Sequence, residues 1–161
     1  MNASGDRRPP RLQVNVMVAG LAWLAACGAL TCPAEAAPAP AGKTVAREQA
    51  RLTAEALVEQ GYTLRGDSWS GEALAGGRVG IRHQLFRGNE YVFTLGTAVP
   101  ADIQLAIFTS NREPVPTEVT AGEQTASVRF NPPATATYLI VFTLVSREHE
   151  RIPWSLVYAY R

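Results

Sequence analysis

Cysteine is nearly missing from this 161-residue chain: Cys27 and Cys32 are its two thiols, and both lie in a leading hydrophobic segment. Beyond that segment a disulfide framework and thiol catalysis are excluded. Histidine is equally scarce. His83 and His149 stand 66 residues apart with no cysteine or second histidine beside either, so no zinc site of ordinary spacing is present. An excess of one charge is also lacking, with 15 basic against 14 acidic side chains. That balance excludes a strongly basic nucleic-acid binder and an acidic solvating tail. No internal repeat with a period of roughly 20–50 residues occurs. What is there is 47% hydrophobic and 18% charged, the composition of a packed chain rather than a disordered one. Its length allows one ordinary domain plus a targeting segment.

The first 36 residues have the parts of an export signal. Arg7, Arg8 and Arg11 precede an apolar run, LQVNVMVAGLAWLAACGAL, and Ala34-Glu35-Ala36 supplies the small-x-small pattern of a signal peptidase site. Residues 1–36 are therefore expected to be a signal peptide cleaved after Ala36, carrying the rest to the periplasm or outside the cell. A run of about 20 residues also suffices for a permanent anchor, but the cleavage pattern directly behind it favours removal. Arg7-Arg8 hints at a twin-arginine signal, against which Pro9-Pro10 occupy positions where that motif has other residues. A second route competes. Leu24-Ala25-Ala26-Cys27-Gly28 resembles the bacterial lipobox, which makes Cys27 a candidate lipidation site; such an anchor holds through about 0.8 kcal/mol per buried methylene. Cleavage after Ala36 removes three arginines, Asp6 and Glu35, leaving twelve basic and twelve acidic groups. Long-range steering toward phosphate or anionic lipid is not expected of a neutral remainder.

Residues 37–43 begin APAPAG and read as a Pro/Ala tether. Thr44 is placed to cap a helix over 44–61, with Gly61 as its left-handed stop. Val45, Leu52 and Val58 with Ala56 form its expected apolar stripe. The charges run against the macrodipole, because Lys43, Arg47 and Arg51 occupy the N-terminal half while Glu55 and Glu59 come last. Such a helix is marginal alone and must lean on the fold or on a partner.

From 62 to 161 the pattern is short strands between turn signals: VGIRHQLF, EYVFTLG, DIQLAIFT, a weak segment near 115–119, TASVRF, TYLIVFTLV and IPWSLVYAY. About seven to eight strands so spaced, preceded by one α-helix, predict a mostly β fold, an antiparallel jelly-roll-like β-sandwich.

LFRGNEYVFTLG, ADIQLAIFTSNREPV and ASVRFNPPATATYLIVF resemble the bacterial pre-peptidase C-terminal domain, over about residues 62–161. That family's pattern is a strand ending in G-x-x-Y, a D-x-D-L-x-[IVL] strand with a D-x-N-G turn, and an F-T-P-x-x-T-G-T-Y element. With the preceding helix, the chain is similar to small stand-alone exported bacterial proteins. The resemblance implies a jelly-roll-like sandwich of the kind appended to secreted enzymes, aiding secretion or substrate binding. The chain departs from the pattern at Gln104 and Thr109, where the family has aspartates, and at Arg112 and Ala136, where it has glycines. Calcium needs several converging oxygens; only Asp102, Asn111 and Glu113 remain near that turn, so no calcium site is carried over.

Candidate catalytic groups lack their context. Gly66-Asp67-Ser68 matches the G-D-S of lipases and esterases, but no buried apolar strand precedes it and no D-x-x-H follows; His149 comes after Ser146-Arg147-Glu148. A nucleophile needs a base within hydrogen-bond reach. Arg65-Gly66-Asp67 spells the integrin triplet, a chance match in an exported bacterial-looking chain. His83 is expected on a strand surface, and SREHER (146–151) as a charged hairpin tip. Trp154, Leu156, Tyr158 and Tyr160 share one face of the last strand, expected to be core, with Ser155, Val157, Ala159 and Arg161 toward solvent. Trp69 and Trp154 remain as candidate ligand contacts, since aromatic faces suit sugar stacking. These readings favour an exported, non-catalytic binding module that recognises a protein or polysaccharide partner without a cofactor. The alternative is a structural or accessory envelope protein, such as an assembly subunit or secretion aid.

Overall fold

A computed structural model of the chain describes residues 41–161; the expected signal segment, Cys27 and the first tether residues lie outside them. An α-helix, α1 (Ala41–Glu55), and a short 3-10 turn (Val58–Gln60) precede nine strands. These are β1 (Thr63–Leu64), β2 (Trp69–Leu74), β3 (Arg78–Leu85), β4 (Tyr91–Thr97), β5 (Asp102–Phe108), β6 (Glu118–Ala121), β7 (Thr125–Phe130), β8 (Ala136–Val145) and β9 (Arg151–Tyr160). The larger sheet runs β1-β9-β4-β7-β6, with β2 also on β9, and the smaller runs β3-β8-β5. Every pairing is antiparallel. From β2 to β6, and again from β7 to β9, successive strands alternate between the sheets, giving the orders 2-9-4-7 and 3-8-5 of a jelly-roll β-sandwich. Among the described residues no helix is long and apolar enough to cross a membrane.

Alternation along each strand builds the core. Phe93, Leu95, Leu156 and Val128 from the larger sheet meet Leu85, Ile107, Ile140, Phe142 and Leu144 from the smaller one. β4 departs from alternation, being buried at all seven positions. Its second face lies under α1, which packs on β4 and β9. The contact is made by small residues. Ala46, Ala50 and Ala54 form the buried stripe of the helix, and a Cβ on Gly96 would come within 2.3 Å of the Ala46 carbonyl oxygen and 2.6 Å of the Ala50 nitrogen. Beneath the helix Ser155 and Thr94 are fully buried, and each hydroxyl finds another on a neighbouring strand: Ser70 Oγ donates to Ser155 Oγ at 2.8 Å, and Thr94 pairs with Ser127 at 3.0 Å. Such pairs remove the penalty of burying a hydroxyl.

Several expectations are corrected here. Val45 and Leu52 are 44% and 54% exposed; the inward stripe is alanine, because only small side chains let the helix backbone approach the sheet. Ser155 and Val157 are covered by α1, and Ala159 by Tyr62 and Leu57, rather than solvated, whereas Arg161 is exposed. Thr44 sits inside α1, and 41–43 are helical rather than tether. Gly61 does supply a left-handed stop, at φ 86°, but to the 3-10 turn. Ser146–Glu150 is no hairpin tip, since β8 and β9 belong to opposite sheets. β1 and β2 raise the strand count to nine; the polar Ser70-Gly71-Glu72 hid β2 from its sequence pattern.

The turn after β5 holds a side-chain-bearing residue in the left-handed region. The Arg112 backbone lies at φ 66°, and the Thr109 hydroxyl accepts from the Glu113 N–H at 3.2 Å. A side chain in the left-handed region costs about 1–2 kcal/mol, partly offset by the extra unfolded-state freedom of glycine. Arg112→Gly is therefore expected to stabilise the protein by about 0.5–1 kcal/mol, read as a higher denaturation midpoint at unchanged slope.

Candidate functional site

β1 and β2 are one edge strand broken by a bulge. Leu64 pairs with Ala159 and Trp69 with Leu156, so four residues, Arg65 to Ser68, stand opposite two on β9. Gly66-Asp67-Ser68 thus lies between two strands, not at the strand-to-helix turn that exposes a catalytic serine. Bulges break pairing and re-aim side chains. Here Arg65, the first residue of the bulge, still donates its N–H to the Tyr158 carbonyl at 3.0 Å.

Beside it opens a cleft of about 450 Å³ lined by Arg65, His83, Gln84, Phe86, Asn89, Tyr91, Tyr158 and Tyr160. Tyr91 and Tyr158 are almost wholly buried, while Phe86 is 52% exposed. The hydroxyl of Tyr91 is held from the β3–β4 turn, accepting from the Phe86 N–H and from Asn89 Nδ2, both at 3.1 Å. Gly88, at φ 94°, permits that turn. Arg65 reaches Asp67 at 3.4 Å, with side chains 48% and 60% exposed. A depression of about 690 Å³ near Pro100, Glu123 and Arg147 is larger but more open and has no aromatic lining.

His83 is not the surface residue expected. It shares its parity with Ile81 and Leu85, and that alternation was the signal for its inward position. Its ring packs edge-on against Trp69 at 5.1 Å and Tyr158 at 4.9 Å, with Phe93 at 6.3 Å. Burial among these rings lowers its pKa, followed by a smaller raising effect of Asp67 and a lowering one of Arg65. Burial also raises Tyr158 above the ordinary phenol value, with Asp67 adding to it. A histidine held neutral in the fold but protonated in the unfolded chain gives stability that is present above its ordinary pKa and lost as pH falls from that value toward the folded one. Denaturation midpoints are thus expected to drop on acidification below about pH 6.5, and His83→Phe to flatten that part of the profile. An unchanged slope in the variant would contradict this assignment.

The two tryptophans occupy different places. Trp69 stacks on Tyr158 at 5.7 Å and lies behind the cleft, bracing its rings rather than lining it. Trp154 is 7% exposed, edge-on to Phe142 at 4.8 Å, and its other surroundings include Gly71, where a Cβ would come within 2.8 Å of the indole. Its faces are occupied, so it offers no stacking platform. Cys27 lies outside the described residues. Among the described residues no group of three or more His, Cys, Asp or Glu side chains is placed to hold a metal.

A second polar cluster closes the same end of the sandwich. Arg161 bonds Glu90 at 2.7 Å and the Gln60 carbonyl at 3.0 Å, with its guanidinium 4.5 Å from the Tyr62 ring centre. Burial pushes the Glu90 carboxyl up, but Arg161, the Tyr62 hydroxyl and Arg129 outweigh it and hold the pKa below the ordinary value. This staple ties the ends of β9 and β4 to the 3-10 turn.

No family model matches the sequence, and no curated protein does. Among solved structures, that of PliG from Aeromonas hydrophila, a periplasmic lysozyme inhibitor of g-type lysozyme, is similar over 63% of this chain and 90% of that one, at 16% identity and a TM-score of 0.45. A likeness of that extent carries no functional reading.

Proposed function

We propose that this chain is an exported, non-catalytic binding module of the cell envelope or extracellular space, and that its partner is held in the Tyr91–Tyr158–Tyr160 cleft. The observation that supports this reading is the cleft itself. Aromatic rings and the polar groups of Arg65, Gln84 and Asn89 converge in it, beside the bulge in the edge strand. Concave sites lined by aromatic side chains with a few placed polar groups are the usual form of a recognition pocket. Export rests on the leader pattern of residues 1–36. The kinship with pre-peptidase C-terminal domains, which accompany secreted enzymes, is proposed on the same footing.

The test is retention of the full-length chain on native envelope material, comparing the natural sequence with Phe86→Ala and Tyr160→Ala. Loss of retention in these variants, with the fold intact by circular dichroism, supports the cleft. Retention unchanged in both moves the contact elsewhere and favours the accessory role.

A further inference from the structure

The charge arrangement of α1, unfavourable to the helix by itself, acquires a purpose in the fold. Lys43, Arg47 and Arg51 are spaced four residues apart and exposed along one flank. That flank lies over the bulge: Arg47 donates to the Gly66 carbonyl at 3.1 Å, and Arg47, Arg51 and Arg65 together line a small pocket with Leu64 and Val157. Arg65 also lines the aromatic cleft. A basic ridge and a ring-lined cleft thus meet at one residue, although the chain after the leader is neutral.

The counter-charges on the ridge are loose. Glu55 and Asp67 each approach one arginine at 3.4 Å with half or more of the side chain exposed, and exposed pairs of this kind are worth little. Among the described residues Arg47 has no carboxylate within salt-bridge distance. A ligand carboxylate therefore displaces little of value.

We infer, resting on the cleft reading above, that the partner is an acidic polysaccharide, one sugar ring seated in the cleft against Tyr160 and Phe86 and the acidic groups beyond it carried along Arg65, Arg47 and Arg51. Sugar rings offer the flat apolar faces that aromatic side chains cover, and regularly spaced anionic groups complement the ridge. A membrane is a poorer fit. The exposed apolar side chains Val45 and Leu52 project from a different face of α1, and the aromatic groups lie in a hollow rather than on a plane.

The probe is polygalacturonate, with dextran as its neutral counterpart, titrated against the full-length chain by intrinsic tryptophan fluorescence or calorimetry. Polygalacturonate is expected to bind and dextran to bind far more weakly, with affinity falling as ionic strength rises from about 0.05 to about 0.3 M. The combined variant Lys43→Gln, Arg47→Gln, Arg51→Gln is expected to weaken binding about tenfold. Arg78→Gln with Arg82→Gln, exposed on the smaller sheet, is expected to leave it unchanged. An equal loss in that control shows diffuse charge attraction and overturns the ridge. Equal binding of dextran also overturns the ridge while keeping the cleft. If neither polymer binds but envelope retention still depends on Phe86 and Tyr160, the polysaccharide is wrong and the cleft stands. Binding to anionic lipid vesicles without polygalacturonate binding likewise overturns the proposal.

Discussion

Gly96→Val is expected to detach α1 from the sheet and to destabilise the protein by about 3 kcal/mol or more. The reason is the identity of the atoms in the way. A Cβ at Gly96 meets the Ala46 carbonyl oxygen and the Ala50 nitrogen, which are helix backbone and have no rotamer to move into. Inserting atoms into a packed contact ordinarily costs about 1–3 kcal/mol, and a helix lying on one alanine stripe has no softer place to give. Relief by lifting the helix would expose Val157 and open the Ser70–Ser155 and Thr94–Ser127 hydroxyl pairs to water. Thermal or urea denaturation measures the loss, and circular dichroism would show whether helix content falls with it. The helix is weak on its own, with basic groups early and acidic groups late, so undocking should melt it rather than free it. A substitution tolerated within about 0.5 kcal/mol would mean that α1 does not sit where Gly96 places it.

The second large effect is expected at Trp154. Trp154→Ala should cost about 3–5 kcal/mol, the range for removing a large buried aromatic side chain. Against a typical domain stability of about 5–15 kcal/mol, that is a large share. The indole fills the space between Phe142 and the open Cα of Gly71. Its Nε1 is buried without a hydrogen-bond partner, so Trp154→Phe, which removes that donor along with some volume, should cost much less than the alanine. A Trp154→Ala protein of near-normal stability would move this residue back to the surface and reopen it as a ligand contact.

Trp69 and Trp154 show how far the sequence could be read. Both have the inward parity of their strands, yet one ends behind an open cleft and the other in a closed core. Alternation decides which face of a sheet a side chain takes; it does not decide what covers that face. Ser155 and Val157 make the same point. Their small and partly polar side chains have the composition of a solvent face, and small is also what a docked helix requires. The stop at Gly61 and six of the strands were legible because turn residues and period-2 patterns are local. The bulge at Arg65–Ser68 was not, because it exists only as a mismatch in register between β1, β2 and β9.

The sequence by itself therefore determined the fold class, the alternating core and the scarcity of thiol and histidine, each a matter of composition or of neighbours along the chain. Only the tertiary structure decided that α1 lies on β4 and β9 by its alanines, that His83 turns inward among rings, and that the wrongly ordered charges of the helix gather over the bulge. Those facts depend on which surfaces meet, and contacts between residues far apart in the chain leave no periodic trace in it.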